Sequence, residues 1–171
     1  MAYVSRMSKV LWGEGLFLRP QHFQRQDAYH EARLQDLSLT LHPYAWGCRR
    51  VRFDPQALGS GTLRPLDISA VFPDGESYDA PVHDALPDAL SLKDLPPGVQ
   101  STVIHLALPL LRDDGDNCAD AESSQLARYR QINRGANDLY TEPVEAELGF
   151  LGKAVKFLTD DTPREQKSTV A

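Results

Sequence analysis

Five histidines, two cysteines and a run of aspartates are the residues of this 171-residue chain that could carry chemistry. His22 and His30 stand two helical turns apart, but no third metal ligand follows them, and none of His22, His30, His42, His83 and His105 falls into a His-Glu-x-x-His pattern. Asp113-Asp114-Gly115-Asp116-Asn117 has the carboxylate density of a calcium loop. Its glycine is misplaced for an EF-hand and no closing glutamate fits, so it is read as a solvated acidic loop. Gly59-Ser60-Gly61 lacks the spacing of a nucleophile elbow, and neither a phosphate-binding loop nor a dinucleotide fingerprint occurs. His83-Asp84 is the least implausible pair for a hydrolase, and no nucleophile motif accompanies it. The reading is a protein that is not an enzyme, with no cofactor and no metal. Cys48 and Cys118 are too few and too far apart for a disulfide framework, and read as free thiols in a reducing compartment.

The composition, 42% hydrophobic and 25% charged, suits one globular domain. Eighteen Lys+Arg against 24 Asp+Glu give a net charge of −6. Phosphate binding needs clustered cations, and the densest cluster is only Arg49, Arg50 and Arg52, so a nucleic-acid surface is excluded. The longest apolar run, Leu106–Leu111, contains Pro109 and is far short of the roughly 18 residues of a spanning helix. No apolar segment of signal-peptide type follows Arg6 and Lys9. Membrane insertion and secretion are therefore not expected.

The elements that must position any site divide the chain into an arm over residues 1–19, a shoulder over 20–158 and a polar, disordered tail over 159–171. In the arm, Val10-Leu11-Trp12 and Leu16-Phe17-Leu18 flank Gly13-Glu14-Gly15, which favours turning chain. Pro20 suits the first position of a helix over about 20–42. Within it Phe23, His30, Leu34, Leu37 and Leu41 follow steps of seven, four, three and four, one helical stripe, with Gln24, Arg25, Gln26, Asp27, Glu31 and Arg33 as the solvated face. The period then changes to two: Val51 and Phe53, then Leu66 to Phe72, then Ile104 to Leu108, read as half-buried strands. Pro73-Asp74-Gly75 marks a tight turn and Pro96-Pro97-Gly98 bounds the third strand. Leu148 to Leu158 reads as a closing strand. Twelve prolines and eleven glycines, spaced between short strands, point to a mainly β fold, a β-sandwich with an N-terminal arm and one amphipathic helix.

Large apolar groups on a glycine-bearing arm need cover, from an edge strand of their own domain or from a partner that orders the segment. The stretch Val10-Leu11-Trp12-Gly13-Glu14-Gly15-Leu16-Phe17-Leu18-Arg19-Pro20-Gln21-His22-Phe23-Gln24 resembles the N-terminal signature of the TssK family, also called ImpJ or VasE, of bacterial type VI secretion baseplate proteins. Pro43-Tyr44-Ala45-Trp46-Gly47, Phe72-Pro73-Asp74-Gly75 and Leu106-Ala107-Leu108-Pro109 continue the resemblance in order. It implies a fold like the shoulder of phage receptor-binding proteins and a cytoplasmic homotrimer. It also implies docking onto the TssF–TssG wedge, and, through a C-terminal head, a link to the membrane complex of TssJ, TssL and TssM. The matched positions Trp12, Glu14, Gly15, Leu16, Leu18, Arg19, Pro20, Gln21, His22 and Phe23 would then form the docking end. Trp12, Leu16, Leu18 and Phe23 would supply apolar contact, with Glu14 and Arg19 setting register. The stem and head of the family are absent from these 171 residues. The competing reading is a phage-tail-like receptor- or carbohydrate-binding module.

Overall fold

The computed structural model describes residues 5–94, 101–120, 123, 125–159 and 169–170. Pro96-Pro97-Gly98, Glu122 and most of the tail lie outside them. The chain divides into two compact units, Met1–Ala45 and Trp46–Ala171, so helix α1 (Pro20–Leu41) groups with the arm and not with the strands.

The first unit is an arm and one helix. Pro20 occupies the first turn of α1, where its missing N–H costs nothing. The expected stripe is on the helix, but it is not a buried face: Phe23, Leu34, Leu37 and Leu41 are all exposed, and the buried residue of α1 is Tyr29. Its ring lies 5.8 Å from Lys9 Nζ and 5.9 Å from the Arg33 guanidinium carbon. Arg33 also donates to its hydroxyl at 3.2 Å, which lowers the tyrosine's proton affinity. A lone helix and a short arm can cover only one helix face, and the cations over Tyr29 take that cover.

The second unit is mainly β. In chain order it runs β1 (Gly47–Phe53), α2 (Pro55–Gly59), β2 (Thr62–Leu63), β3 (Pro65–Val71), β4 (Ser77–Ala80), β5 (Leu90–Ser91), β6 (Ile104–Leu108), β7 (Cys118–Ala119), β8 (Tyr129–Asn137), β9 (Glu145–Lys153), β10 (Lys156–Thr159) and β11 (Thr169–Val170). Sheet β1-β3-β4 is antiparallel, with Val51 opposite Ile68 and Ala70 opposite Tyr78. Sheet β10-β6-β11 is also antiparallel, with Phe157 opposite Leu106. Side chains from these two sheets make the core: Ile68, Phe72, Tyr78, Ala80, Leu108 and Val155, with Leu106 and Phe157 packed against them. Phe53 meets Phe157 across the layers at 6.1 Å between ring centres. This sandwich is open at one side, where Cys48, Val51, Phe53, Ile104, Leu106 and Phe157 help to line an apolar groove of about 300 Å³.

Two expectations change here. The single closing strand is two strands, β9 and β10, and β9 belongs to a separate sheet, β7-β8-β9. In the tail expected to be disordered from residue 159, Thr159 ends β10, and Thr169–Val170 pairs with β6, whose second edge offers unpaired backbone groups.

The Pro73-Asp74-Gly75 turn does more than reverse the chain. Gly75, at φ +83°, donates to Phe72 O at 2.8 Å, and Phe72 in turn donates to Glu76 O at 2.9 Å. The turn thereby presents Asp74 and Glu76 to Arg128, whose side chain is only 3% exposed. Arg128 donates to Asp74 Oδ2 at 2.7 Å, Glu76 Oε2 at 3.1 Å and Pro109 O at 2.8 Å. Lys153 Nζ, at the far end of β9, pairs with Glu76 Oε1 and Asp84 Oδ1, both at 3.3 Å, and donates to Ser77 O at 2.6 Å. The clasp thus ties the β3–β4 turn, the end of β6 and the base of the β8–β9 hairpin.

Removing the buried cation leaves Asp74 and Glu76 facing each other without it. Arg128→Ala is expected to cost about 3 kcal/mol in urea unfolding. Arg50→Ala, which breaks pairs to Asp67 (2.7 Å) and Asp79 (3.1 Å) on a half-exposed surface, is expected to cost under about 1 kcal/mol. Equal losses would contradict this account. A second test uses pH. Burial raises the proton affinity of the Tyr78 hydroxyl, which donates to Ala85 O at 2.6 Å. Burial does the same for Tyr129. The unfolded chain ionises these phenols near pH 10 while the folded chain holds the protons, so stability is full below that pH and falls above it. Urea midpoints should drop between about pH 9.5 and 11, and less steeply in Tyr78→Phe.

Candidate functional site

The residues singled out by the sequence come together at the start of α1. Gly13, Glu14, Gly15 and Leu16 form a turn in which Leu16 N–H donates to Gly13 O at 3.4 Å. Gly15 sits at φ +77°, the left-handed region that glycine enters without steric cost. This reversal brings the Trp12 ring within 6.1 Å of His22 and 6.4 Å of Phe23, both rings tilted. Arg19 is the residue before the helix, in extended backbone. Its N–H donates to His22 Nδ1 at 3.0 Å, and His22 N–H donates to Arg19 O at 3.0 Å. Histidine thus does what Glu or Gln does in a capping box, satisfying a backbone donor at the helix entry. The order Arg-Pro-Gln-His-Phe is therefore a helix start as well as a motif.

The arm forms no strand among its described residues, so it is not an edge strand of a sheet. Trp12, Glu14, Gly15, Leu16, Leu18, Arg19, Pro20, Gln21 and Phe23 are all exposed, and His22 is half-buried. Phe17 and Leu11 reach 83% and 88% exposure. A cluster of this size, held by a turn and a cap yet left uncovered, presents an apolar surface with a defined shape. Glu14 and Arg19 border it with opposite charges.

The other candidates are occupied by structure. Asp84 accepts from Asp79 N–H at 3.0 Å and pairs with Lys153, so it serves the clasp. In the acidic loop Arg112 lies 3.3 Å from Asp114 and 3.6 Å from Asp116, and its hydrogen bond holds the Asp114 carboxyl below the usual range. Among the described residues no three His, Cys, Asp or Glu side chains gather to hold a metal ion. Among the described residues no helix is long and apolar enough to cross a membrane.

One exposed element escapes the sequence reading. The hairpin of β8 and β9 pairs nine residues on each strand, from Tyr129↔Lys153 to Asn137↔Glu145, and most of both strands is exposed. Asp138 shapes its tip by accepting from the N–H groups of Tyr140 (2.8 Å) and Thr141 (3.0 Å), leaving Leu139 82% and Tyr140 93% exposed. The apolar run from Leu148 announces part of β9, and Asp138 two residues before Tyr140 is the signal for the tip.

The family model described as Bacterial Type VI secretion, with EvfL, ImpJ and VasE among its names, matches residues 22–171. The chain belongs to that family, and the match leaves Trp12–Gln21 outside it. The chain is 30% identical over 155 residues to the type VI secretion system baseplate component TssK1 of Pseudomonas aeruginosa PAO1, covering 90% of this chain and 34% of that relative. It therefore spans about a third of the length of this curated relative. A cryo-electron microscopy structure of a TssK–TssF–TssG baseplate subcomplex contains a chain similar to it at a TM-score of 0.85 and 26% identity, over 95% of this chain and 54% of that one. A crystal structure of TssK matches at 0.81 and 26% identity, over 91% of this chain and 35% of the other. Mainly β architecture with one long N-terminal helix is thus shared with TssK structures.

The exposed arm has a consequence for stability. Trp12→Ala and Leu18→Ala should each change the free energy of unfolding by under about 1 kcal/mol, whereas Phe72→Ala should cost about 3 to 5 kcal/mol. Urea titrations of the three variants check this. An arm loss as large as that of Phe72 would make the arm part of the core.

Proposed function

We propose that this chain is the part of a type VI secretion baseplate subunit that docks onto a TssF–TssG wedge, with the arm over residues 1–19 and the start of α1 as the docking element. The observation that carries this reading is the aromatic and aliphatic surface of Trp12, Leu16, Leu18 and Phe23, shaped by the Gly13–Leu16 turn and the His22 cap and left uncovered. Interfaces draw most of their energy from a few such anchors. Glu14 and Arg19 set register at the rim, and Gly15, Pro20 and Gln21 shape the entry to the helix. The similar chain from a TssK–TssF–TssG subcomplex supports the choice of partner.

In this reading residues 20–158 are the shoulder, with no reaction to accelerate, and the full-length form is a homotrimer in the cytoplasm. The baseplate meets the membrane complex of TssJ, TssL and TssM at the cytoplasmic face of the inner membrane, through a C-terminal head outside these residues. A docking subunit needs shape and anchors, which is what the first unit offers.

The test is co-purification with the matching TssF–TssG wedge on a sizing column with light scattering. Co-elution is expected, and Trp12→Ala or Phe23→Ala should weaken it by about 2 kcal/mol, roughly thirtyfold, without loss of fold. Wedge binding unchanged in both variants would overturn the assignment of the arm.

A further inference from the structure

We infer that the free edge of β9 takes up an extended strand of another protein, one whose residues alternate apolar and basic, as an added strand of the sheet β7-β8-β9. The inference stands on the hairpin alone and does not rest on the docking role of the arm. Among the described residues β9 is the last strand of its sheet, so the backbone N–H and C=O groups on its outer side have no ladder partner there. Its register with β8 is unbroken from Glu145 to Lys153, and every residue from Glu145 to Leu151 is exposed.

An edge that must stay single is guarded, by a bulge, a proline or a cation within the strand. β1, the edge of the first sheet, is guarded in two ways: its register shifts between Cys48 and Arg50 and again between Arg52 and Phe53, and it carries Arg49, Arg50 and Arg52. β8 pairs with β7 only at Tyr129 and Arg130, and the edge it leaves beyond them carries Arg134. From Glu145 to Gly152, β9 has no bulge, no proline and no cation. Its charges are Glu145 and Glu147, both near the tip, and among the described residues neither is paired with a cation.

Those two carboxylates and the alternation of β9 define the occupant. Residues directly opposite each other on paired strands share a face, where opposite charges attract and like charges repel. Ala146, Leu148 and Phe150 lie on the face of Ile132 and Ala136, whereas Glu145 and Glu147 lie on the other, with Asn133 and Asn137. A strand added to β9 therefore carries an apolar residue at every second position and cations opposite Glu147 and Glu145. In the antiparallel sense, the more stable ladder, those cations fall toward its C-terminal end. Main-chain bonds supply the affinity of such an added strand and its alternate side chains the specificity. A second copy of β9 does not meet the requirement. Paired with itself about Gly149, it would set Glu145 opposite Lys153, which is already held by Glu76, Asp84 and the carbonyl of Ser77, and Glu147 opposite Leu151.

The test is fluorescence anisotropy of two labelled peptides added to the 171-residue chain: Val-Thr-Val-Thr-Val-Lys-Val-Lys and the same peptide with Glu in place of Lys. The basic peptide is expected to bind about tenfold tighter than the acidic one. Glu145→Lys/Glu147→Lys should reverse that order, a gain for the acidic peptide that misfolding cannot mimic. Gly149→Lys should abolish binding of the basic peptide. A side chain built at Gly149 comes no closer than 3.5 Å to Gln131 and Asn133, so the strand keeps its place while a cation guards its edge. Methylating alternate backbone nitrogens of the basic peptide should also abolish binding, because main-chain donors carry the contact. Trp12→Ala, which alters the arm, should leave peptide binding unchanged. Binding of neither peptide, equal binding of both, or full binding of the methylated peptide would overturn the inference. So would a disulfide between two copies carrying Gly149→Cys in a chain with Cys48 and Cys118 replaced by Ser, since that would give the edge to a second copy.

Discussion

Arg128 is the constraint on which the second unit depends. A guanidinium with almost no exposure is tolerable only when its donors are met, and here two carboxylates and a backbone carbonyl meet them. Those acceptors come from a turn between β3 and β4 and from the end of β6, so satisfying one side chain fixes three segments that are distant in sequence. Lys153 repeats the device from the other strand of the hairpin, sharing Glu76 with Arg128. The core of Ile68, Phe72, Tyr78 and Leu108 lies against this frame, and the turn that aims Asp74 and Glu76 is closed by the backbone of Phe72 itself. Apolar packing supplies the stability there, and the ion pairs determine which turn meets which strand.

The first unit obeys a different rule. It has one buried side chain of note on its helix, Tyr29, and a succession of large apolar groups without cover. Its order comes from local devices: a glycine turn, a proline at the first turn of the helix and a histidine that caps it. Such devices shape a surface without burying it. This combination is what separates a docking element from a core element, and it is why the arm carries the proposed function while the sandwich carries the fold.

Much of this was legible in the chain. Alternation in Leu66–Phe72 and Ile104–Leu108 marked β3 and β6, although the half-buried expectation does not hold along them: Leu66 is exposed, whereas Ile68–Val71 and Ala107–Leu108 are buried on both faces where the strands enter the core; Pro73-Asp74-Gly75 announced the turn, which needs the positive φ that glycine adopts freely. The helix was legible from its stripe, but its burial was not, since periodicity says that a face exists and never what covers it. β8 was invisible: its apolar residues Tyr129, Ile132 and Ala136 do not alternate, and no residue of the strand is fully buried. The Arg128 clasp was equally hidden, as its carboxylate partners lie more than 50 positions away and nothing local distinguishes a buried arginine from a solvated one. Of the residues proposed for docking, the sequence revealed the motif, while the aromatic grouping of Trp12, His22 and Phe23 emerged only from the turn geometry.

The hairpin of β8 and β9 also has a mechanical side. Nine paired residues at about 3.4 Å each make a ribbon roughly 30 Å long, anchored where Arg128 and Lys153 are clamped and ending in the Asp138 turn. It is a cantilever. Force drawn outward on one strand at the tip opens the ladder one pair after another, so the ribbon yields gradually and at low load. Force applied along the strands loads many pairs at once and passes to the clamped end, where it meets the ionic frame and the core behind it. The same element is therefore compliant in one direction and stiff in another.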